Sequence, residues 1–195
     1  MNVAKFSQSV PAAVHAGLDK KARELGQDSH EYIQRVLTQH VIDQHAIADD
    51  VAKRLQLTWR VVDQCVEVAR QICRDGRFSE HITLEAIQQC TRDPSWLEDY
   101  ARCIEDDVYK HGNPRKGPIN RAIGAQIRAG IGAGVKKDSN DKPTMKRVLG
   151  EVIQSYTLFE SFDPVVVRGP CVAAEHGPGH TPSSGDSRLD GVSAR

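Results

Sequence analysis

The sequence predicts a mainly α protein: a strand-helix-helix head, then a helical domain ending in a small β-hairpin, then a disordered C-terminal tail. Three observations carry this. Apolar residues recur at helical spacing from Val14 to Ile131 with few interruptions. Short strand-like stretches occur only near the N-terminus and again around residues 145–156. The last thirty or so residues are rich in Gly, Pro and Ser and lack apolar periodicity, so they bury too little surface to offset their ordering entropy.

The 195 residues suit one domain or two small ones, at ~100–200 residues per domain. With 39% hydrophobic and 27% charged residues, the composition supports a modest core. Lys plus Arg and Asp plus Glu each number 26, which excludes a uniformly basic coat and a long acidic tail. No apolar run approaches the roughly 18 residues of a membrane span. MNVAKFSQSV has no apolar h-region before a cleavage site, so a cytoplasmic protein with no membrane partner is expected. Cys65, Cys73, Cys90, Cys103 and Cys171 form no C-x-x-C pair and read as reduced, mostly buried thiols. No cofactor is expected.

The net charge of zero hides an uneven distribution. Residues 1–45, the head, are balanced, with five bases and five acids. The helical region 46–111 holds nine bases against thirteen acids, whereas 112–160 holds nine against four. The basic surplus therefore sits in a module spanning residues 112–162, ahead of the tail at 163–195. No internal repeat is present.

In the head, Asn2 to Val10 alternates, with Phe6 and Val10 on one face and Lys5, Ser7 and Ser9 on the other. Pro11 suits the first turn of a helix, where its missing N–H is not needed. Val14, Leu18, Ala22 and Leu25 follow at helical spacing, and Gly26 is a C-cap candidate. Asp28 can cap a second helix, with Glu31 completing a capping box. Tyr32, Ile33, Val36, Leu37 and Val41 form that helix's apolar stripe. A lone strand has two open edges, and two short helices bury little area, so pairing with a second copy is expected.

The stretch KFSQSVPAAVHAGLDKKARELGQDSHEYIQRVL resembles the ribbon-helix-helix DNA-binding family, the group of the Arc, MetJ and CopG repressors. A strand ends at a proline, the turn glycine comes late in the first helix, and an isoleucine follows seven residues later. The resemblance covers residues 3–45, under a quarter of the chain. It implies a dimer whose paired strands enter the DNA major groove. By position it implies base contacts from Lys5, Ser7 and Ser9, and a phosphate held by the free N–H groups of Gln27, Asp28 and Ser29.

Residues 46–111 read as almost wholly helical. Ile47, Val51, Leu55, Val61, Val62, Cys65, Val66, Ala69 and Ile72 give one long stripe, broken at Gly76. A short helix runs from Thr83 to Cys90. Another opens at Asp93-Pro94, with Trp96, Leu97, Tyr100, Ile104 and Val108 as its inner face.

In the basic module, Pro118 begins a helix whose Ile119, Ile123, Ile127 and Ile131 repeat every four residues, with Arg121 and Arg128 as the charged complement. A loop at SNDKP precedes strand-like MKRVL and EVIQSY, which predict a hairpin carrying Lys136, Lys137, Lys142, Lys146 and Arg147. Helix followed by basic hairpin is the element order of a winged helix-turn-helix. Phosphate contacts are therefore expected from Arg115, Lys116, Lys136, Lys137, Lys146 and Arg147. The alternative is a surface for a protein partner.

No catalytic or metal constellation stands out. Cys171, His176 and His180 have loosely ligand-like spacing but fall in the tail. Glu105, Asp106 and Asp107 are successive on a helix and point apart. The expected function is that of a dimeric sequence-specific DNA-binding regulator and not an enzyme. The alternatives are an antitoxin or plasmid or mobile-element accessory factor acting through protein contacts, or a small nucleic-acid enzyme using carboxylates such as Glu105 or Glu151.

Overall fold

The computed structural model describes residues 9–161. The expected strand falls almost wholly outside these residues, with Lys5, Phe6 and Ser7, and so does the expected tail with Cys171, His176 and His180. The described chain is mainly helical. Its elements are α1 (Ala12–Glu24), α2 (Ser29–Asp43), α3 (Asp49–Arg74), α4 (Ile82–Cys90), α5 (Pro94–Ile104) and α6 (Lys116–Ile131), then the short strands β1 (Gly134–Val135), β2 (Met145–Arg147), β3 (Ser155–Thr157) and β4 (Phe159–Glu160).

The long stripe of α3 organises the molecule. Seven of its residues, from Leu57 to Ile72, are buried, and α4, α5 and α6 all pack against it. Ile82, Ala86 and Ile87 come from α4, Trp96, Tyr100 and Ile104 from α5, and the four isoleucines of the four-residue repeat from α6. The core thus joins the 46–111 region and the 112–162 module. Two buried aromatics satisfy their polar ends as they must. Trp96 Nε1 donates to the Val61 carbonyl at 3.1 Å, and Tyr100 Oη donates to Asn120 Oδ1 at 2.7 Å.

Caps set the helix boundaries. Asp93 accepts the Ser95 amide at 2.9 Å, with Pro94 in the first turn of α5. Asp28 caps α2 by accepting from His30 and Glu31 N–H at 3.0 and 3.2 Å. The expected capping box is not completed, because the Glu31 carboxylate turns instead to Arg35 Nε at 3.3 Å. Pro11 is the residue before α1 rather than part of its first turn. Helix α6 begins at Lys116, two residues earlier than expected; Pro118 lies in its first turn, where a missing N–H leaves no gap. Helix α5 ends earlier than the apolar pattern implies. Glu105 takes the left-handed conformation (φ 52°) and stops the helix at Ile104, so Val108 is buried from a turn.

The hairpin forms, with Met145 opposite Thr157, Lys146 opposite Tyr156 and Arg147 opposite Ser155. Its strands are shorter than the alternation suggests, since Val152 and Ile153 are buried from the connecting loop. A second antiparallel pair, β1 with β4, returns the chain beside Val135. Sequence alternation misses these two-residue strands because they are too short to show a period.

Two glycines govern the junction of α1–α2 with the rest. Gly26 has φ 61°, as the turn after α1 requires. Gly130 lies where α3 and α6 come closest: a Cβ there would sit 2.7 Å from Val66 Cγ1. Arg70 crosses the same spot, donating to the carbonyls of Leu25 (2.8 Å), Gly26 (3.2 Å) and Gly130 (3.2 Å). Val66 is stiff at χ1 and cannot move aside cheaply. Gly130→Ala is therefore expected to destabilise the fold by about 1–3 kcal/mol despite alanine's higher helix propensity, as measured by urea unfolding.

Candidate nucleic-acid interface

The apolar stripes of α1 and α2 meet each other but are not covered. Ala22 is the sole buried residue of the two helices. Leu18, Tyr32 and Ile33 are half-buried. Val10, Val14, Leu25, Val36, Leu37 and Val41 remain exposed, Val14 at 49% and Leu37 at 52%. On their other side the helices are tied to α3 by polar contacts. Arg35 Nη1 donates to both oxygens of Asp63 at 2.7 and 2.9 Å, and its guanidinium lies 5.7 Å from the Trp59 ring centroid. The two helices therefore attach through charge and leave their apolar face outward.

The expected phosphate donors at the start of α2 are partly spent within the chain. The Gln27 amide donates to the Ala22 carbonyl at 2.8 Å. The anion over the first turn is the Asp28 carboxylate, which occupies the His30 and Glu31 amides. Ser29 opens the helix behind that cap. Of the expected base-contacting residues, only Ser9 is described; it is exposed and just ahead of α1.

The basic residues of the late module divide into two groups. Arg115 pairs with Glu105, Lys136 with Glu80, and Lys137 with Asp141 at 2.8 Å. Lys116 is no surface contact at all. It is 5% exposed, and its Nζ donates to the carbonyls of Val108 and Lys110, the latter at 3.0 Å. Burial pushes its pKa down. The lysine clamps the turn between α5 and α6, a role its position in a charged run does not reveal. In contrast Arg121, Arg128, Lys142, Lys146 and Arg147 are exposed and make no ion pair among the described residues. Arg121 and Arg128 were recognisable in sequence only as the polar side of the isoleucine helix.

The acidic residues are used structurally. Arg115 and then Arg54 hold the Glu105 carboxyl below the usual carboxylate range. Lys110 does the same for Asp106 at 3.0 Å. Glu151 accepts from Gln88 Nε2 at 2.6 Å. Among the described residues no group of three His, Cys, Asp or Glu side chains is placed to hold a metal ion. Cys65, Cys73, Cys90 and Cys103 are free thiols, three of them buried in the core. No described helix is long and apolar enough to cross a membrane.

No protein-family model, curated protein or solved structure matches the chain.

Two outcomes follow from these placements. Lys116→Met is expected to leave the Val108 and Lys110 carbonyls without their donor and to cost about 1–3 kcal/mol in denaturant unfolding, whereas Lys137→Ala, at a surface pair, should cost under about 0.5 kcal/mol. Because Glu80 and Glu105 are held below the ordinary carboxylate pKa, by Lys136 and Arg115 respectively, their pairs contribute fully above about pH 4.3. That contribution is lost as pH falls through the lowered folded values. Melting temperature should thus drop on acidification, with a shallower slope in Glu105→Gln.

Proposed function

We propose that the chain is a dimeric, sequence-specific DNA-binding protein, a transcriptional regulator of ribbon-helix-helix type whose head comprises residues 1–45. One observation carries the reading: two short helices, joined by a left-handed glycine turn and preceded by a proline, leave six apolar side chains on and beside them exposed. A second copy related by a two-fold axis offers the same face in return.

The magnitudes favour a dimer completed by strand pairing. Each of the six side chains is roughly half exposed, so covering it contributes roughly 1 kcal/mol. Twelve in a symmetric pair give on the order of 10 kcal/mol, comparable with the ~4–15 kcal/mol that association costs. Backbone pairing of the segments before Pro11 supplies the margin and forms the ribbon. In this reading Lys5, Ser7 and Ser9 meet base edges. A lysine in the major groove can donate to guanine O6 or N7, while serine accepts either sense of partner.

Sedimentation should find a dimer at micromolar concentration, and Val14→Glu with Leu37→Glu should give a monomer. A wild-type protein that sediments as a folded monomer overturns the reading. Once a preferred duplex has been selected from random sequence, Lys5→Ala should weaken binding to it by ~1–3 kcal/mol and narrow the gap to a scrambled duplex. Equal losses on both duplexes would remove Lys5 as a base reader.

A further inference from the structure

Arg121 and Arg128, which make no ion pair among the described residues, border a groove of about 700 Å³ between α6 and the β2–β3 hairpin. One wall is a single face of α6, where Gly117, Arg121, Gly124 and Arg128 follow at helical spacing. Gly124 has nothing within 4 Å of where a Cβ would be, and the only neighbour of Gly117 is Arg121 Nη1 at 3.4 Å. A ligand can therefore approach the helix backbone between the two guanidinium groups. The opposite wall is the hairpin, through Met145, Ser155 and Thr157. Arg147 lies on the same face of β2 as Met145, opposite Ser155. Buried Ile87, Val152, Ile153 and Phe159 make the base.

Two further features point to an anionic occupant. The chain has as many acids as bases, yet among the described residues no carboxylate lines the groove. Thr83 also lines it, is 4% exposed, and its Oγ1 has no hydrogen-bond partner among the described residues. A buried hydroxyl without a partner is rare, because it costs the full desolvation of that group.

We infer that this groove binds the phosphodiester backbone of duplex DNA, with Arg121 and Arg128 on two phosphates of one strand about three steps apart and the Thr83 hydroxyl as an added donor. The arginines are seven residues apart, which places them about 10 Å apart along the helix axis. That spans about three steps of a strand rising 3.4 Å per nucleotide. A small phosphorylated molecule would favour arginines converging on one point. Two guanidinium groups two turns apart in a half-open groove suit an extended polyanion. Such contacts position DNA without reading it. The inference extends the DNA-binding reading above, but its test is separate.

The test is a salt titration of binding to the selected and the scrambled duplex. Arg121→Gln with Arg128→Gln is expected to weaken both duplexes alike and to lower the slope of log K against log salt by about two, near 0.9 per lost phosphate contact. Lysines at both positions should restore most of the slope. Arg115→Gln, whose partner is Glu105, should leave it unchanged. Thr83→Val should weaken both duplexes several-fold with an unchanged or raised melting temperature, which a purely structural hydroxyl would not do. An unchanged slope in the double glutamine variant, with a wild-type circular dichroism spectrum, overturns the inference. So does saturable binding of AMP that is lost in that variant while the duplex slope stays the same. The ribbon reading fails separately, through an unchanged sequence preference in Lys5→Ala.

Discussion

The close approach of α3 and α6 at Gly130 is the constraint on which the rest of the arrangement depends. Absence of a side chain lets Val66 and Arg70 of α3 reach the α6 backbone, so the isoleucine face of α6 can sink into the core. Its glycine and arginine face is thereby turned to the hairpin. Arg70 uses the same gap to hold the carbonyls of the α1–α2 turn. One guanidinium with three carbonyl acceptors therefore ties the α1–α2 turn to the end of α6. A charged group with backbone acceptors, partly shielded from water, makes stronger hydrogen bonds than a neutral pair.

Helical periodicity located α3, α4 and α6 well, because each buries a stripe long enough to repeat at least twice. The aspartate and proline signals placed the starts of α2 and α5. Where expectation and structure part, the deciding contact joins side chains to groups outside their own helical turn or strand. Val108 fits the α5 stripe, but Glu105 takes the left-handed conformation and ends the helix, and Arg54, far off in sequence, and Arg115 meet its carboxylate there. Lys116 resembles its basic neighbours until the turn at Val108 and Lys110 folds over it. Strands β1 and β4 lie far apart in the chain and have two residues each. Pairing of that kind leaves no local mark.

Charge in the late module shows the same dependence. Counting residues along the chain treats Lys136, Lys137 and Arg128 as equals. Folding brings Glu80 to the first, and Asp141, four residues on, pairs with the second, while Arg128 has no ion pair among the described residues. The acidic helical region thus neutralises part of the basic module and leaves an arginine-dominated remainder. Guanidinium groups are more weakly hydrated than ammonium groups and match two phosphate oxygens at once, so the remainder is the part best suited to hold an anion.

The polar seam between α1–α2 and α3 has a consequence for how the molecule comes apart. Arg35 with Asp63, and Arg70 with its carbonyls, hold the head without a shared apolar core. Opening such a seam exposes little hydrophobic surface and so adds little to the heat capacity of unfolding. Head and body then melt as separate cooperative units. The body's transition depends on its own core alone. The head's, if it is completed by a second chain, shifts upward with protein concentration by mass action. A calorimetric trace would resolve these as two peaks, of which dilution moves only one.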